Sequence, residues 1–162
     1  MVIEAPDETF MRQALRLAGR AGARGEIPVA AVLTLEGKVV ARAANATICR
    51  QDPTAHAEVR VLRKAARLLD NHRLGGVILY VTLEPCLMCI GAMIQARTAR
   101  CVFGAADPKI GASSLLGISR VRLGINHRFP LEGGCLEKEA AELLRAFFRS
   151  RGAGPGPGQS LS

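Results

Sequence analysis

The chain has 162 residues, of which 49% are hydrophobic and 22% charged, so length and composition predict a single globular domain and exclude wholesale disorder. No apolar run approaches the roughly 18 residues of a membrane span, and the N-terminus has no secretory pattern, so we expect a cytoplasmic protein without membrane contact. The formal net charge of +8 favours a polyanionic partner such as nucleic acid, although the single Tyr and absent Trp disfavour a broad aromatic stacking surface.

Hydrophobic spacing predicts helices and strands that alternate along the chain. In chain order, we expect a helix over 7–21, strands over 29–35 and 38–43, a helix over 52–69, a strand over 77–83, a helix over 85–96, a strand over 101–104 and a helix over 136–149. Asp52 and Pro53 are typical of a helix start, as N-cap and first-turn residues. The inward face of that helix is predicted to hold Val59, Leu62, Ala66 and Leu69.

The alternation of helices and strands indicates an α/β fold in which the sheet lies between layers of helices. Residues 105–118 are rich in Gly, Ser and Ala and are predicted to form a functional loop. Residues 152–162 are dominated by Gly and Pro, have little to bury and are expected to be disordered. We therefore expect one folded domain over 1–151, followed by a short tail.

Two short segments, each expected at the start of a helix, carry residues that bind metals. They are His56-Ala57-Glu58 and Pro85-Cys86-Leu87-Met88-Cys89. Two cysteines spaced C-x-x-C at a helix N-terminus can approach one ion from a single turn, where the helix dipole stabilises thiolates. Thiolate and imidazole ligands suit Zn²⁺, so we predict a zinc site formed by His56, Cys86 and Cys89.

Glu58, two residues after the predicted histidine ligand, is the candidate catalytic residue. A catalytic zinc keeps its fourth position for water and lowers the pKa of that water to about 7. A nearby carboxylate would take a proton from this water and pass it to a leaving group, which is what hydrolytic deamination requires. The two segments together therefore predict a zinc-dependent hydrolytic site.

Other interpretations of the cysteines remain open from the sequence. The C-x-x-C could be a redox pair, or two core cysteines beside a capping histidine. The zinc could also be structural, with a fourth protein ligand. The residues available for that role are Cys49, Cys101, Cys135, His72 and His127. The three cysteines in this set are otherwise expected to be small buried or half-buried thiols.

The two segments match the zinc-deaminase signature, H-x-E followed by P-C-x-x-C. Beyond this signature, the chain resembles the bacterial tRNA-specific adenosine deaminases over roughly residues 7–151. Further matching segments include Thr82-Leu83-Glu84, Gly91-Ala92-Met93-Ile94, Val102-Phe103-Gly104-Ala105 and Asn126-His127-Arg128. The chain departs from the family pattern at Ala30 and over 113–117.

This resemblance implies a cytidine deaminase-like fold, with three α/β/α layers and a mixed central sheet of about five strands. It implies a homodimer with one zinc ion per subunit, held by His56, Cys86 and Cys89, with Glu58 as the proton shuttle. The implied reaction converts the wobble adenosine of a tRNA anticodon, usually of an arginine tRNA, to inosine. The implied substrate contacts are Asn45 and the Ala57 backbone for the flipped adenine, and Asp107, Lys109 and Phe148 for flanking nucleotides of the anticodon loop.

Two other functions are consistent with the same sequence. A guanine- or cytosine-type nucleobase deaminase would share the zinc site but would not need a basic RNA-binding surface. A non-catalytic, zinc-containing RNA-binding subunit of a larger complex would have no use for Glu58. Ammonia release from each substrate class, and inosine formation by the isolated chain, would separate these functions.

Overall fold

A computed structural model describes residues 3–113 and 125–152 of the chain. The strands within these ranges are β1 (Ala30–Leu35), β2 (Lys38–Ala44), β3 (Val77–Leu83), β4 (Arg100–Ala105) and β5 (Leu131–Glu132). They form one sheet in the order β2-β1-β3-β4-β5. β1 is antiparallel to β2 and β3, whereas β3, β4 and β5 are parallel, so the predicted mixed sheet of about five strands is confirmed.

Helices cover both faces of this sheet, which confirms the predicted three-layer α/β/α architecture. In the described ranges they are α1 (Ala5–Ala23), α2 (Thr47–Arg50), α3 (Ala57–Leu68), α4 (Leu87–Ala96) and α5 (Glu137–Ser150). α1 and α5 pack together on one face, where Met11 of α1 belongs to the same buried cluster as Tyr80 of β3. α3 and α4 pack on the other face, where Val61 and Met93 join Leu79.

Most predicted elements are confirmed, with ends that shift by a few residues. The first helix extends over Ala5–Ala23, and the last begins at Glu137 and ends at Ser150. The sequence missed α2 and β5 because elements of four and two residues are too short to establish a hydrophobic period.

The start of α3 differs from the prediction, and this difference positions a functional residue. α3 begins at Ala57 with His56 as its N-cap, and not at Asp52 and Pro53. Asp52 instead closes a turn, because its Oδ1 accepts hydrogen bonds from the backbone N–H and the hydroxyl of Thr54 at 2.8 and 2.7 Å. His56 therefore lies at the point where the chain enters the helix.

The predicted buried face of α3 is wrong in part. Leu62 is buried, but Val59 and Ala66 are only half-buried and Leu69 is exposed. The buried residues of the helix are Ala57, Glu58, Val61, Leu62 and Ala65. The prediction placed this face wrongly because it used the spacing of apolar residues alone. The observed buried face includes the charged residue Glu58, which such spacing assigns to solvent.

A charged network ties α1 to the sheet. The Asp7 carboxylate is 2% exposed, forms a salt bridge with Arg100 at 2.7 Å and accepts a hydrogen bond from the Tyr80 hydroxyl at 3.0 Å. Arg100 also pairs with Glu132 of β5. Burial raises the pKa of Asp7, but the hydrogen bonds from Arg100, the Glu4 N–H and Tyr80 outweigh this effect and hold the pKa below its ordinary value.

Two predictions extend beyond the described residues. In the predicted functional loop, residues 106–112 form turns and irregular backbone, and residues 114–118 lie outside the described ranges. Residues 153–162 of the predicted tail also lie outside them. None of the helices in the described ranges has the length and apolar content that crossing a membrane requires.

Candidate metal centre

The three predicted metal ligands meet where the N-termini of α3 and α4 approach each other. His56 is the N-cap residue of α3, Cys86 is the N-cap residue of α4, and Cys89 lies in the first turn of α4. The Nδ1 atom of His56 lies 3.6 Å from the Sγ of Cys86 and 3.5 Å from the Sγ of Cys89, and the two sulfur atoms are 3.7 Å apart. The fold thus brings together side chains from two separate helices.

The spacing of these three atoms fits a tetrahedral zinc ion. With Zn–S bonds of about 2.3 Å and a Zn–N bond of about 2.05 Å, tetrahedral angles place two sulfur ligands about 3.8 Å apart and each sulfur about 3.6 Å from the nitrogen. The observed separations agree with these values to within about 0.1 Å. Two thiolates and an imidazole are also the donor set that zinc prefers.

No fourth protein ligand joins this trio within 3–113 and 125–152. The candidates for such a ligand, Cys49, Cys101, Cys135, His72 and His127, all lie in these ranges but outside the group. Three protein ligands leave one tetrahedral position for water, as in catalytic zinc sites. Cys101 and Cys135 are buried as expected, whereas Cys49 is exposed because it lies on α2, a short helix without a buried residue.

Hydrogen bonds within the trio favour a thiolate at Cys86. The contact with Cys89 lowers the pKa of the Cys86 thiol, and His56 lowers it further against the opposing effect of burial. The same contact raises the pKa of Cys89, and burial raises it further. Contact with Cys86 raises the pKa of His56. Since metals bind thiolates and not thiols, the site already stabilises one ligand in its binding form.

Glu58 lies beside the trio, in the first turn of α3. Its side chain is 4% exposed and lines a small cavity together with His56 and Cys86. The cavity measures about 20 Å³, which is enough for one water molecule. Burial raises the pKa of the Glu58 carboxyl to about 7. A carboxyl with such a pKa can both accept and return a proton near neutral pH.

A family model of the cytidine and deoxycytidylate deaminase zinc-binding region matches residues 4–105. The chain belongs to this family. The deaminase is 43% identical to the tRNA-specific adenosine deaminase of Bacillus subtilis, over 88% of this chain and 89% of that protein. This identity and coverage place it among the tRNA-specific adenosine deaminases, as the sequence motifs predicted.

Solved structures share the fold of the deaminase. A structure from a study of A-to-I editing by tRNA:A34 deaminases at the wobble position of transfer RNA superposes with a TM-score of 0.77 and 46% identity, covering 84% of this chain and 99% of that one. The guanine deaminase of Nitrosomonas europaea superposes with a TM-score of 0.73 and 27% identity, covering 91% and 86%. The predicted cytidine deaminase-like fold is therefore confirmed.

Asn45, the residue after β2, lines the same cavity of the deaminase and is 4% exposed. Its Nδ2 donates hydrogen bonds to Oε1 of Glu26 at 2.9 Å and to Oγ1 of Thr47 at 3.0 Å. Glu26 is itself buried and accepts hydrogen bonds from the backbone N–H groups of Ile48 and Cys49 at 3.1 and 3.0 Å. Both amide hydrogens of Asn45 are thereby used, so Oδ1 is the side-chain atom that takes no part in these two hydrogen bonds.

Asp107 also lines this cavity and has one carboxylate oxygen without a partner. It is 3% exposed, and its Oδ1 accepts hydrogen bonds from the backbone N–H groups of Lys109 and Ile110 at 3.0 and 3.3 Å. Its Oδ2 is buried and accepts no hydrogen bond from the described part of the chain. A buried carboxylate oxygen of this kind needs a donor, which a substrate can supply.

The remaining predicted contact residues, Ala57, Lys109 and Phe148, are not among the described residues that line the cavity. Ala57 is fully buried as the first residue of α3. Lys109 is exposed, and Phe148 is half-buried on α5, where its ring packs edge-to-face on Phe147 with centroids 5.3 Å apart.

Two carboxylates of this site were not found from the sequence. Glu84 lines the cavity and accepts a hydrogen bond from the Ser113 hydroxyl at 3.1 Å. Gly111 lies so close that a Cβ at this position would overlap the Glu84 carboxylate. The position of Glu84 next to the P-C-x-x-C segment could have indicated it. Nothing in the sequence around Glu26 marks a buried carboxylate, because its partners lie about twenty residues away.

Proposed function

We propose that this deaminase hydrolyses the wobble adenosine of a tRNA anticodon, so that adenosine and water give inosine and ammonia. The observation that carries this proposal is a zinc-competent His56, Cys86 and Cys89 trio, two of whose members, His56 and Cys86, line one cavity together with the buried Glu58. The identity to tRNA-specific adenosine deaminases over most of the chain supports the substrate class. The surplus of basic residues is consistent with an RNA substrate.

His56, Cys86 and Cys89 would hold the zinc ion in this site. When bound, zinc lowers the pKa of a coordinated water to about 7 and so supplies a nucleophile at neutral pH. Glu58 would accept one proton from the attacking water and pass it to the ring nitrogen, and then take a second proton from the newly added hydroxyl and pass it to the amino group, which leaves as ammonia. Burial suits Glu58 to this task because it raises the pKa of the carboxyl to about 7.

Asn45 and the Ala57 backbone would bind the flipped adenine, and Asp107 would bind a flanking nucleotide. Asn45 offers its Oδ1, and the unpartnered Oδ2 of Asp107 can accept a hydrogen bond from a nucleotide hydroxyl or amine. We assign Lys109 and Phe148 to flanking nucleotides of the anticodon loop, outside the cavity.

The remaining features of the assembly follow from the same assignment. We propose that the folded deaminase domain extends over 1–151, that two copies form a homodimer with one zinc per subunit, and that the protein works in the cytoplasm, where tRNA is available. An arginine tRNA is the proposed substrate, since the resemblance to this family implies it. Gel filtration with light scattering would test the homodimer, and editing of purified tRNAs would test the tRNA identity.

The decisive experiment uses the purified chain and an anticodon stem-loop with adenosine at the wobble position. We expect mass spectrometry to detect inosine at this position only, and a Glu58→Ala variant with unchanged zinc content to produce none. Inosine formation by the purified chain would exclude the non-catalytic RNA-binding subunit. Absence of inosine from a zinc-loaded chain would refute the proposal.

A guanine-type nucleobase deaminase is the second candidate. It is favoured by one observation, which is the superposition on the guanine deaminase of Nitrosomonas europaea over 91% of this chain. Ammonia release from guanine, cytosine and cytidine, measured beside the stem-loop, separates the two candidates. Release from guanine without inosine formation on RNA would support the second candidate.

A further inference from the structure

We propose that a groove between α1 and β2 binds a backbone phosphate of the substrate tRNA outside the reacting nucleotide. This groove, which we call the arginine groove, is lined by Gln13, Arg16, Arg20 and Arg42. It has a volume of about 440 Å³ and is open to solvent. The inference rests on the proposed tRNA substrate but concerns a surface outside the catalytic cavity.

The geometry of α1 explains why three of these side chains converge. Gln13, Arg16 and Arg20 are spaced by three and four residues, so they lie on one face of the helix. The opposite face carries residues such as Ala14 and Ala18, which are fully buried against the sheet. Arg42 reaches the same groove from β2, the edge strand, where it is exposed between two buried alanines.

Gln13 holds Arg42 in an orientation that suits an anion. Its Oε1 accepts hydrogen bonds from both Nε and Nη2 of Arg42 at 3.2 and 2.9 Å. This contact fixes the plane of the guanidinium while leaving further N–H donors free. A planar guanidinium with a fixed direction recognises phosphate oxygens in pairs, which a mobile lysine does not.

The positive charge of the arginine groove also favours a phosphate as its ligand. Three guanidinium groups line it, and no carboxylate does so among the described residues. The ion pairs found in the described ranges involve Arg100, Arg145 and Arg149, and not the arginines of the groove. Like charges gathered without a counterion repel one another, so a bound phosphate would relieve this repulsion.

The position of the arginine groove fits a ligand that also enters the catalytic cavity. Arg42 precedes Asn45 by three residues, and a β-strand advances roughly 3.4 Å per residue, so the two residues lie on the order of 10 Å apart along β2. Arg42 points to the α1 face of the sheet, whereas the cavity lies beside α3 and α4. RNA that places one base in the cavity must therefore pass around the edge strand β2 to place a nearby phosphate in the groove. A free nucleobase cannot span both, so the groove would distinguish an RNA substrate from a nucleobase.

The test compares two double variants that remove equal charge. Arg20→Gln/Arg42→Gln changes the arginine groove, and Arg63→Gln/Arg67→Gln changes two exposed arginines on α3 as the matched control. Binding of full-length tRNA to the zinc-loaded proteins is measured by fluorescence anisotropy at several salt concentrations. For the groove variant, we expect affinity to fall about tenfold and the slope of log K against log[salt] to decrease by about 1 to 2. The control should keep the wild-type slope.

Further readouts separate the groove from folding and from catalysis. Zinc content and kcat at saturating stem-loop should be unchanged in the groove variant, because the substituted arginines lie outside the catalytic cavity. Arg42→Lys keeps the charge but loses the paired hydrogen bonds to Gln13, so we expect it to lose affinity while retaining most of the salt slope.

Equal slopes for wild type and groove variant, or an equal loss in the control, would overturn the proposal. If the wild type forms inosine but the slopes are equal, the groove proposal fails and the proposed function stands. If the groove variant loses tRNA affinity but the wild type forms no inosine, the proposed function fails and the groove remains an RNA-binding site.

Discussion

Glu26 acts, in our interpretation, as a positioning residue for Asn45, and Glu26→Gln tests this role. One carboxylate oxygen accepts the hydrogen bond from Asn45 Nδ2, and the other accepts those from the Ile48 and Cys49 N–H groups. A glutamine has only one acceptor oxygen, so it cannot satisfy both sides. If the oxygen stays with the backbone, the glutamine NH₂ faces the NH₂ of Asn45 and forces that amide to turn.

The expected effect of Glu26→Gln on activity follows from the loss of the hydrogen bond between Asn45 and Glu26. A hydrogen bond to a charged group is worth about 1.5–3 kcal/mol. The lower value applies, because the turned amide of Asn45 can find another hydrogen-bond partner. About 1.5 kcal/mol corresponds to roughly a tenfold decrease in a rate or binding constant. We therefore expect Glu26→Gln to lower kcat/KM for the wobble-adenosine stem-loop about tenfold at unchanged zinc content.

A double-mutant cycle with Asn45→Ala measures whether Glu26 works through Asn45. Asn45→Ala should lower kcat/KM at least tenfold, and adding Glu26→Gln to it should lower kcat/KM by less than about twofold more. Glu8→Gln, at an exposed position of α1, is the matched control and should match wild type. If kcat/KM of the double variant falls by the product of the two single-variant factors, Glu26 acts independently of Asn45 and our interpretation is wrong.

Three further substitutions test the metal site and the fold. Cys86→Ala removes one of three ligands, so zinc content by elemental analysis and activity should both be lost. Glu58→Ala leaves the ligands intact, so zinc should remain while turnover falls below detection. Asp7→Asn breaks the buried pair with Arg100 and should lower the free energy of unfolding by about 3 kcal/mol, or Tm by roughly 6–12 °C. The folded-state pKa of Asp7 lies below its unfolded value, so its contribution is complete above about pH 4 and disappears as pH falls through the folded pKa.

Each of these predictions has an outcome that contradicts it. Full zinc occupancy in Cys86→Ala would remove this residue from the ligand set. Wild-type turnover in Glu58→Ala would assign the proton transfer elsewhere. For Asp7→Asn, calorimetry should find that the free energies of unfolding of variant and wild type become more similar in acid. A difference in free energy that stays constant from pH 7 to pH 3 would contradict the proposed coupling between stability and the protonation of Asp7.

The sequence predicts the layers and the metal ligands because both depend on local patterns. The apolar run of β3, for example, is typical of a strand buried on both faces, and it is confirmed over Val77–Leu83. The H-x-E and P-C-x-x-C segments contain the three predicted ligands and the predicted proton-transfer residue within eight positions, 56–58 and 85–89. Their meeting in space follows once both segments begin helices at the same end of the sheet.

Other parts of the site depend on contacts between distant residues, which a single sequence does not contain. The helix start at Asp52 looked correct by residue type, but Thr54 engages its side chain in a turn and moves the start of α3 to Ala57. Glu26 becomes a buried acceptor only because α2, itself too short to predict, presents its N–H groups there.

The N-cap positions of α3 and α4 reveal a compromise between folding and chemistry. Neither His56 nor Cys86 caps its own helix with a side-chain hydrogen bond, because both side chains turn toward the shared metal position. A serine or aspartate at either place would satisfy a free N–H group and stabilise its helix by about 1 kcal/mol. In the metal-free protein the two helices are therefore each less stable than their sequences allow, and bound zinc would have to return that stability through His56 and Cys86.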